Sequence, residues 1–151
     1  MPSVACGFTD IPGGATGSNL LISNGPTILV DIGFDANYHG VGAAVPGITS
    51  VRALVDTGAF ESCIDSLLAS QLNLPVIDRR HICGSAGRHE VNIHLAQVSF
   101  PALGLTQYGP FAGVHLAQGG QMQRALIGRT FLQHLKMDYD GRTSAVTLSR
   151  D

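Results

Sequence analysis

The chain has 151 residues, of which 44% are apolar and 13% charged, with 19 glycines, 7 prolines and no tryptophan. That length suits one domain with a single core, and the balance suits a turn-rich β protein better than a helical bundle. The net charge of -2 offers no basic footprint for nucleic acid or an anionic membrane surface, so neither is expected as a partner.

Residues 1 to 26 are rich in Gly, Pro, Ser, Thr and Asn and read as a flexible N-terminal arm, with one short strand at Asn19 to Ser23. The domain proper is expected over residues 27 to 151. Thr27 to Phe34 is β-branched and apolar, a strand. Ala36 to Ser50 carries several glycines and a proline and reads as a loop. Val51 to Asp56 is the next strand. Asp65 to Asn73 predicts a short helix capped by Asp65, with Leu67, Leu68 and Leu72 as its apolar face.

Arg79 to Glu90 predicts a strand-turn-strand around Gly84, Ser85, Ala86 and Gly87. Val91 to Phe100 alternates, with Val91, Ile93 and Leu95 on one side and Asn92 and His94 on the other, as in a half-buried strand. Pro101 to Pro110 reads as a loop and Phe111 to Ala117 as a strand. Ala125, Leu126 and Ile127 form an apolar run that meets Gly128, after which Arg129 to Leu135 can be helical. Met137 to Leu148 predicts a hairpin turning at Asp140-Gly141.

One position stands out. The strand Ala53-Leu54-Val55 ends in Asp56-Thr57-Gly58-Ala59, and a carboxylate at the end of an apolar strand is costly unless it is satisfied or used. By itself Asp-Thr-Gly is compatible with a simple turn. Followed by a glycine hairpin some thirty residues later, and then by Leu126-Ile127-Gly128-Arg129 before a short helix, it resembles the retropepsin-type aspartic proteases. The resemblance covers roughly residues 27 to 148.

It implies an all-β acid-protease fold with closed, barrel-like sheets, one or two short helices and one lobe per chain. It implies that Asp56 is catalytic, that Thr57 bonds across a dimer axis, that Gly58 supports Asp56, and that Ala59 lines the cleft. Gly84, Ser85, Ala86 and Gly87 would form a flap over an extended peptide, and Ile127, Gly128 and Arg129 the ψ-shaped crossing beside Asp56. Hydrolysis by this chemistry needs two carboxylates sharing a proton, because like charges about 3 Å apart do not both ionise. The chain carries one Asp-Thr-Gly, so the second carboxylate is expected from a second copy in a homodimer. No metal or cofactor is implied. The family's acidic residue after the alanine is Phe60 here, with Glu61 following. The alternative, from another class, is an idle fold of this type used as a peptide-binding or dimerisation module.

Three cysteines, Cys6, Cys63 and Cys83, give no disulfide pattern and favour a reducing compartment. No run approaches the ~20 apolar residues of a membrane span, and the N-terminus lacks a signal-peptide pattern. The expectation is a cytoplasmic protein, with Cys63 small and buried and Cys83 more open. His81, Cys83, His89 and His94 are not in a zinc-finger spacing, and strand alternation sends them to differing faces. Arg79, Arg80 and Arg88 read as a solvated hairpin surface.

Overall fold

The computed structural model describes residues 1–37, 47–84 and 87–151. The expected loop at 36–50 therefore lies largely outside the described residues, as do Ser85 and Ala86. In chain order the elements are β1 (Ser3–Ala5), α1 (Gly17–Asn24), β2 (Thr27–Gly33), β3 (Ile48–Val55), β4 (Ser62–Asp65), α2 (Ser66–Gln71), β5 (Val76–Gly84), β6 (Gly87–Phe100), β7 (Leu105–Val114), β8 (Ala125–Ile127), α3 (Arg129–Leu132), β9 (Lys136–Asp140) and β10 (Ala145–Ser149). The all-β expectation is met. No helix among the described residues is long and apolar enough to cross a membrane.

Seven strands form one sheet in the order β2-β3-β8-β4-β7-β6-β5, and an added β2–β6 pairing closes six of them into a barrel. Val30, Ile32, Ala53, Val55, Ile64, Ala96, Val98, Phe111, Ala125 and Ile127 fill its interior and are buried. Burying such side chains contributes roughly 1.5–3 kcal/mol each for the larger ones. Closure removes edges that would otherwise invite other strands. It leaves β5 as the outer strand of the β5–β6 hairpin, paired in register up to Gly84 opposite Gly87.

A second sheet of three strands, in the order β1-β10-β9, packs beside the barrel. Val146 and Leu148 of β10 are buried beneath it. Ser3 pairs with Ser149, Val4 with Leu148 and Ala5 with Thr147, so both terminal strands are engaged within one chain. The hairpin β9–β10 turns over residues 141–144, immediately after Asp140, which still pairs with Ala145.

Five expectations differ from the structure. The first 26 residues are not a loose arm: they hold β1 and α1, with Cys6 and Leu21 buried, and the Thr27 amide donates to Cys6 O at 2.9 Å. The strand expected at Asn19 to Ser23 is helical, because Thr16 caps it by accepting from the Asn19 amide at 3.1 Å. As a helix the segment turns Gly17 and Leu21 inward, four residues apart. In α2, Asp65 caps as expected, but Leu67 is exposed and only Leu68 and Ala69 are buried. Residues 105–110 are strand, not loop, and β6 is buried at Ala96, Gln97 and Val98 alike, not on alternate residues only.

Candidate active site

Asp56 follows β3 directly. Its strand runs parallel to β8, with Val55 opposite Ile127, and the Asp56 amide donates to Ile127 O at 2.9 Å. On the other side β8 pairs antiparallel with β4, Cys63 lying opposite Leu126. The chain thus leaves β3 through the loop 56–61, returns as β4, and admits β8 between the two. That crossing places Ile127 and Gly128 beside Asp56-Thr57-Gly58, two stretches brought together from distant parts of the sequence.

The loop is fixed by backbone bonds on each side. The Gly58 amide donates to Asp56 Oδ1 at 2.9 Å, and the Ala59 amide to Asp56 O at 3.3 Å. A Cβ on Gly58 would lie 3.2 Å from that carboxylate oxygen, tighter than ordinary contact. The Arg129 amide donates to Ala59 O at 2.9 Å and that of Thr130 to Phe60 O at 3.3 Å. The Arg129 guanidinium donates to Thr57 O at 2.8 Å. At Gly128 a Cβ would meet Glu61 O at 2.7 Å and Ala59 O at 2.9 Å, distances that side chains essentially do not adopt. Only glycine lets α3 start this close to the loop.

Asp56 is half-buried and Thr57 exposed. They line a cleft of about 660 Å³ with Pro26, Leu54, Val55, Met137 and Tyr139. The carboxylate is held by the Gly58 amide and opens into a partly apolar cleft.

A family model described as aspartyl protease matches residues 41–131, which include the loop, the β5–β6 hairpin and the crossing. The chain belongs to the aspartyl protease family. Among solved structures, an EIAV protease complexed with the inhibitor HBY-793 is similar at 19% identity with a TM-score of 0.45, covering 72% of this chain and 85% of that chain. The search of curated proteins returned no match.

Several residues of this aspartyl protease chain were not legible as site residues. Ser62, fully buried, accepts the Gly128 amide at 2.9 Å and lies 3.4 Å from Thr130 Oγ1. Arg80, expected on a solvated surface, instead ion-pairs with Glu61, whose side chain is 17% exposed, and approaches Asp78 at 3.3 Å. This links β5 to the end of the Asp56 loop. Phe60 is 67% exposed beside it. No local pattern announces these pairings, since their partners are distant in sequence.

Cys63 is only partly buried, not fully as expected; burial first, then the Glu61 and Asp56 charges, push its thiol up to about 11. Cys83 is exposed. His94 is buried, its Nδ1 3.4 Å from Leu74 O, whereas His81 and His89 are exposed. Among the described residues no three His, Cys, Asp or Glu side chains converge as a metal site.

Proposed function

We propose that the protein is an aspartic endopeptidase whose catalytic dyad is Asp56 of one copy and the partner's Asp56. The observation that carries this is the half-buried Asp56 carboxylate at the cleft, held by the Gly58 amide and flanked by the β8–Gly128 crossing. One chain supplies one such carboxylate, so the site is half of a catalytic pair.

In the dimer the two carboxyl groups share one proton and titrate as a pair. The ionised member takes a proton from water as its oxygen bonds to the scissile carbonyl carbon. The protonated member gives its proton to the carbonyl oxygen, forming a tetrahedral diol. Collapse breaks the C–N bond as a proton passes to the leaving nitrogen, and the pair returns to its shared-proton state. Thr57 and Gly58 hold the loop, Ala59 lines the cleft, and Ile127, Gly128 and Arg129 support it. Gly84, Ser85, Ala86 and Gly87 act as the flap, adding main-chain hydrogen bonds to an extended peptide. Gly87, at φ 101, suits the turn that such a tip needs. Free thiols at Cys6, Cys63 and Cys83 suit a reducing, cytoplasmic setting.

The test is hydrolysis of a denatured protein substrate by wild type and by Asp56→Asn and Asp56→Ala. Activity should vanish in both variants while secondary structure and solution mass stay unchanged, and the wild type should work best on the acidic side of neutrality. Undiminished hydrolysis by either purified variant refutes the assignment.

A further inference from the structure

The barrel strands next to Asp56 have an outer face that the reaction steps above do not use. In β3, Ala53 and Val55 point inward and are buried, whereas Leu54 is half-buried and Arg52 exposed. In β8, Ala125 and Ile127 are buried and Leu126 is half-buried. The register sets Leu54 opposite Leu126 and Leu126 opposite Cys63, one row across β3, β8 and β4. This row is a wall of the Asp56 cleft. Leu54 lines that cleft, and the Cys63 thiol, pushed up first by burial, is raised further by the Glu61 and Asp56 charges, which therefore lie within reach of it.

The ladder runs one residue beyond β8. The Arg124 amide donates to Arg52 O at 3.0 Å, and the Asp65 amide donates to Arg124 O at 2.9 Å. Alternation then puts Arg52 and Arg124 on the face of Leu54 and Leu126, about 7 Å along the strands from that row. Arg124 is half-buried. Among the described residues neither guanidinium has a hydrogen bond or an ion pair. The acids of the flanking strands are engaged elsewhere: Asp65, 2% exposed, accepts the Leu68 and Ala117 amides, Asp31 accepts the Ser50 amide, and Glu61 pairs with Arg80. A half-buried guanidinium has lost part of its hydration and gained no counter-charge, so an anion brought in from outside is stabilised there more than on an open surface.

We propose that Arg124, assisted by Arg52, makes the cleft select peptides that carry an acidic side chain close to the scissile bond, while Leu54 and Leu126 receive an apolar one. The inference rests on the peptidase reading given above and names its substrate class. Both copies of the dimer in that reading carry the two arginines, so the preference should appear on either side of the bond. Like charges are rejected by the same arrangement: a Lys or Arg at that place in the peptide meets two cations.

A peptide library with a fixed apolar pair and degenerate flanks, digested by the full chain and sequenced by mass spectrometry, reads the preference. Glu should exceed Gln, its neutral counterpart, by roughly tenfold at a position flanking the cut at low salt, and the ratio should fall at about 0.5 M salt. Arg124→Gln should bring the ratio near unity, Arg124→Lys should keep most of it, and Arg124→Glu should turn the preference to Lys. Arg52→Gln should weaken it less. A merely structural arginine would change total cleavage without moving the ratio. Thermal unfolding checks each variant, and where one does not fold the wild-type ratio and its salt dependence decide. A wild type that cuts Glu and Gln peptides alike, or a folded Arg124→Gln chain that keeps the ratio, overturns the inference.

Fluorescence anisotropy of labelled Glu and Gln peptides on Asp56→Asn reads the same ratio as Kd, without cleavage. Hydrolysis with no charge preference would sink this inference and leave the dyad reading standing. Charge-selective binding that Arg124→Gln removes, with no hydrolysis by the wild type, would do the reverse.

Discussion

Gly128→Ala is the sharpest probe of how the Asp56 loop is held. The backbone at Gly128 has φ -90 and ψ -173, a conformation alanine adopts freely, so the cost is steric and not conformational. The added Cβ would sit 2.7 Å from Glu61 O, 2.8 Å from Glu61 C and 2.9 Å from Ala59 O. All three are backbone atoms of the loop after Asp56, with no flexible side chain to swing aside. Restoring ordinary contact at 3.4 Å demands a separation of several tenths of an ångström between α3 and the loop. Overpacking of that kind costs about 1–3 kcal/mol. It also lengthens the buried bond from the Gly128 amide to Ser62 Oγ, where an unsatisfied donor costs about 1–3 kcal/mol.

A displacement on the order of 1 Å at a reacting group lowers turnover by roughly 10²-fold. Urea unfolding and kcat on a fluorogenic peptide measure the two effects, with Gly141→Ala as control. There the nearest atom to a Cβ is a Tyr139 ring carbon at 3.4 Å, and a change within about 0.5 kcal/mol is expected. If Gly128→Ala matches the control in both assays, the close crossing is not what holds the loop.

The Glu61–Arg80 pair should couple the Asp56 loop to β5: a double-mutant cycle with Glu61→Gln and Arg80→Gln is expected to give a stability coupling of roughly 0.5–1 kcal/mol, discounted for Arg80's 41% exposure, and an additive cycle would remove the link. Burial holds the Cys6 thiol at about 11, the backbone hydrogen bond with Leu148 offsetting part of the rise, and Cys63 is likewise held at about 11. Since the unfolded chain ionises these thiols first, near 9.0, their contribution is intact below that pH and is lost as pH climbs toward 11. The unfolding midpoint should therefore fall across that window, less steeply in Cys63→Ala, and parallel slopes would contradict the assignment to this thiol.

The parts of the fold that sequence reveals are those with local causes. Asp65 caps α2 because its carboxylate reaches an amide three residues on, and the pattern is visible in a short window. The Asp140-Gly141 turn is equally local. The helix α1 escapes such reading because its cap is supplemented from outside: the Gly17 amide donates to Asp10 Oδ1 at 2.7 Å, across a loop of seven residues. Gly109-Pro110 looks like a breaker yet lies inside β7, where the Phe131 ring occupies the place a Cβ would take, 2.3 Å away. Glycine there answers a packing demand set by a residue far along the chain. In the site, Asp56 to Ala59 and Ile127 to Arg129 show as motifs, whereas Ser62 matters only through a partner 66 residues away.

The bond from Arg129 to Thr57 spans 72 residues, and that from Ser144 to Phe8 spans 136. A ribosome delivers the Asp56 loop long before the strand that must slot beside it, and β1 long before β10. Such a topology closes its largest loops late, which makes for slow folding and leaves edges uncovered meanwhile. The same delay keeps the Asp56 loop from meeting the strand that crosses beside it until almost all of the chain described has emerged.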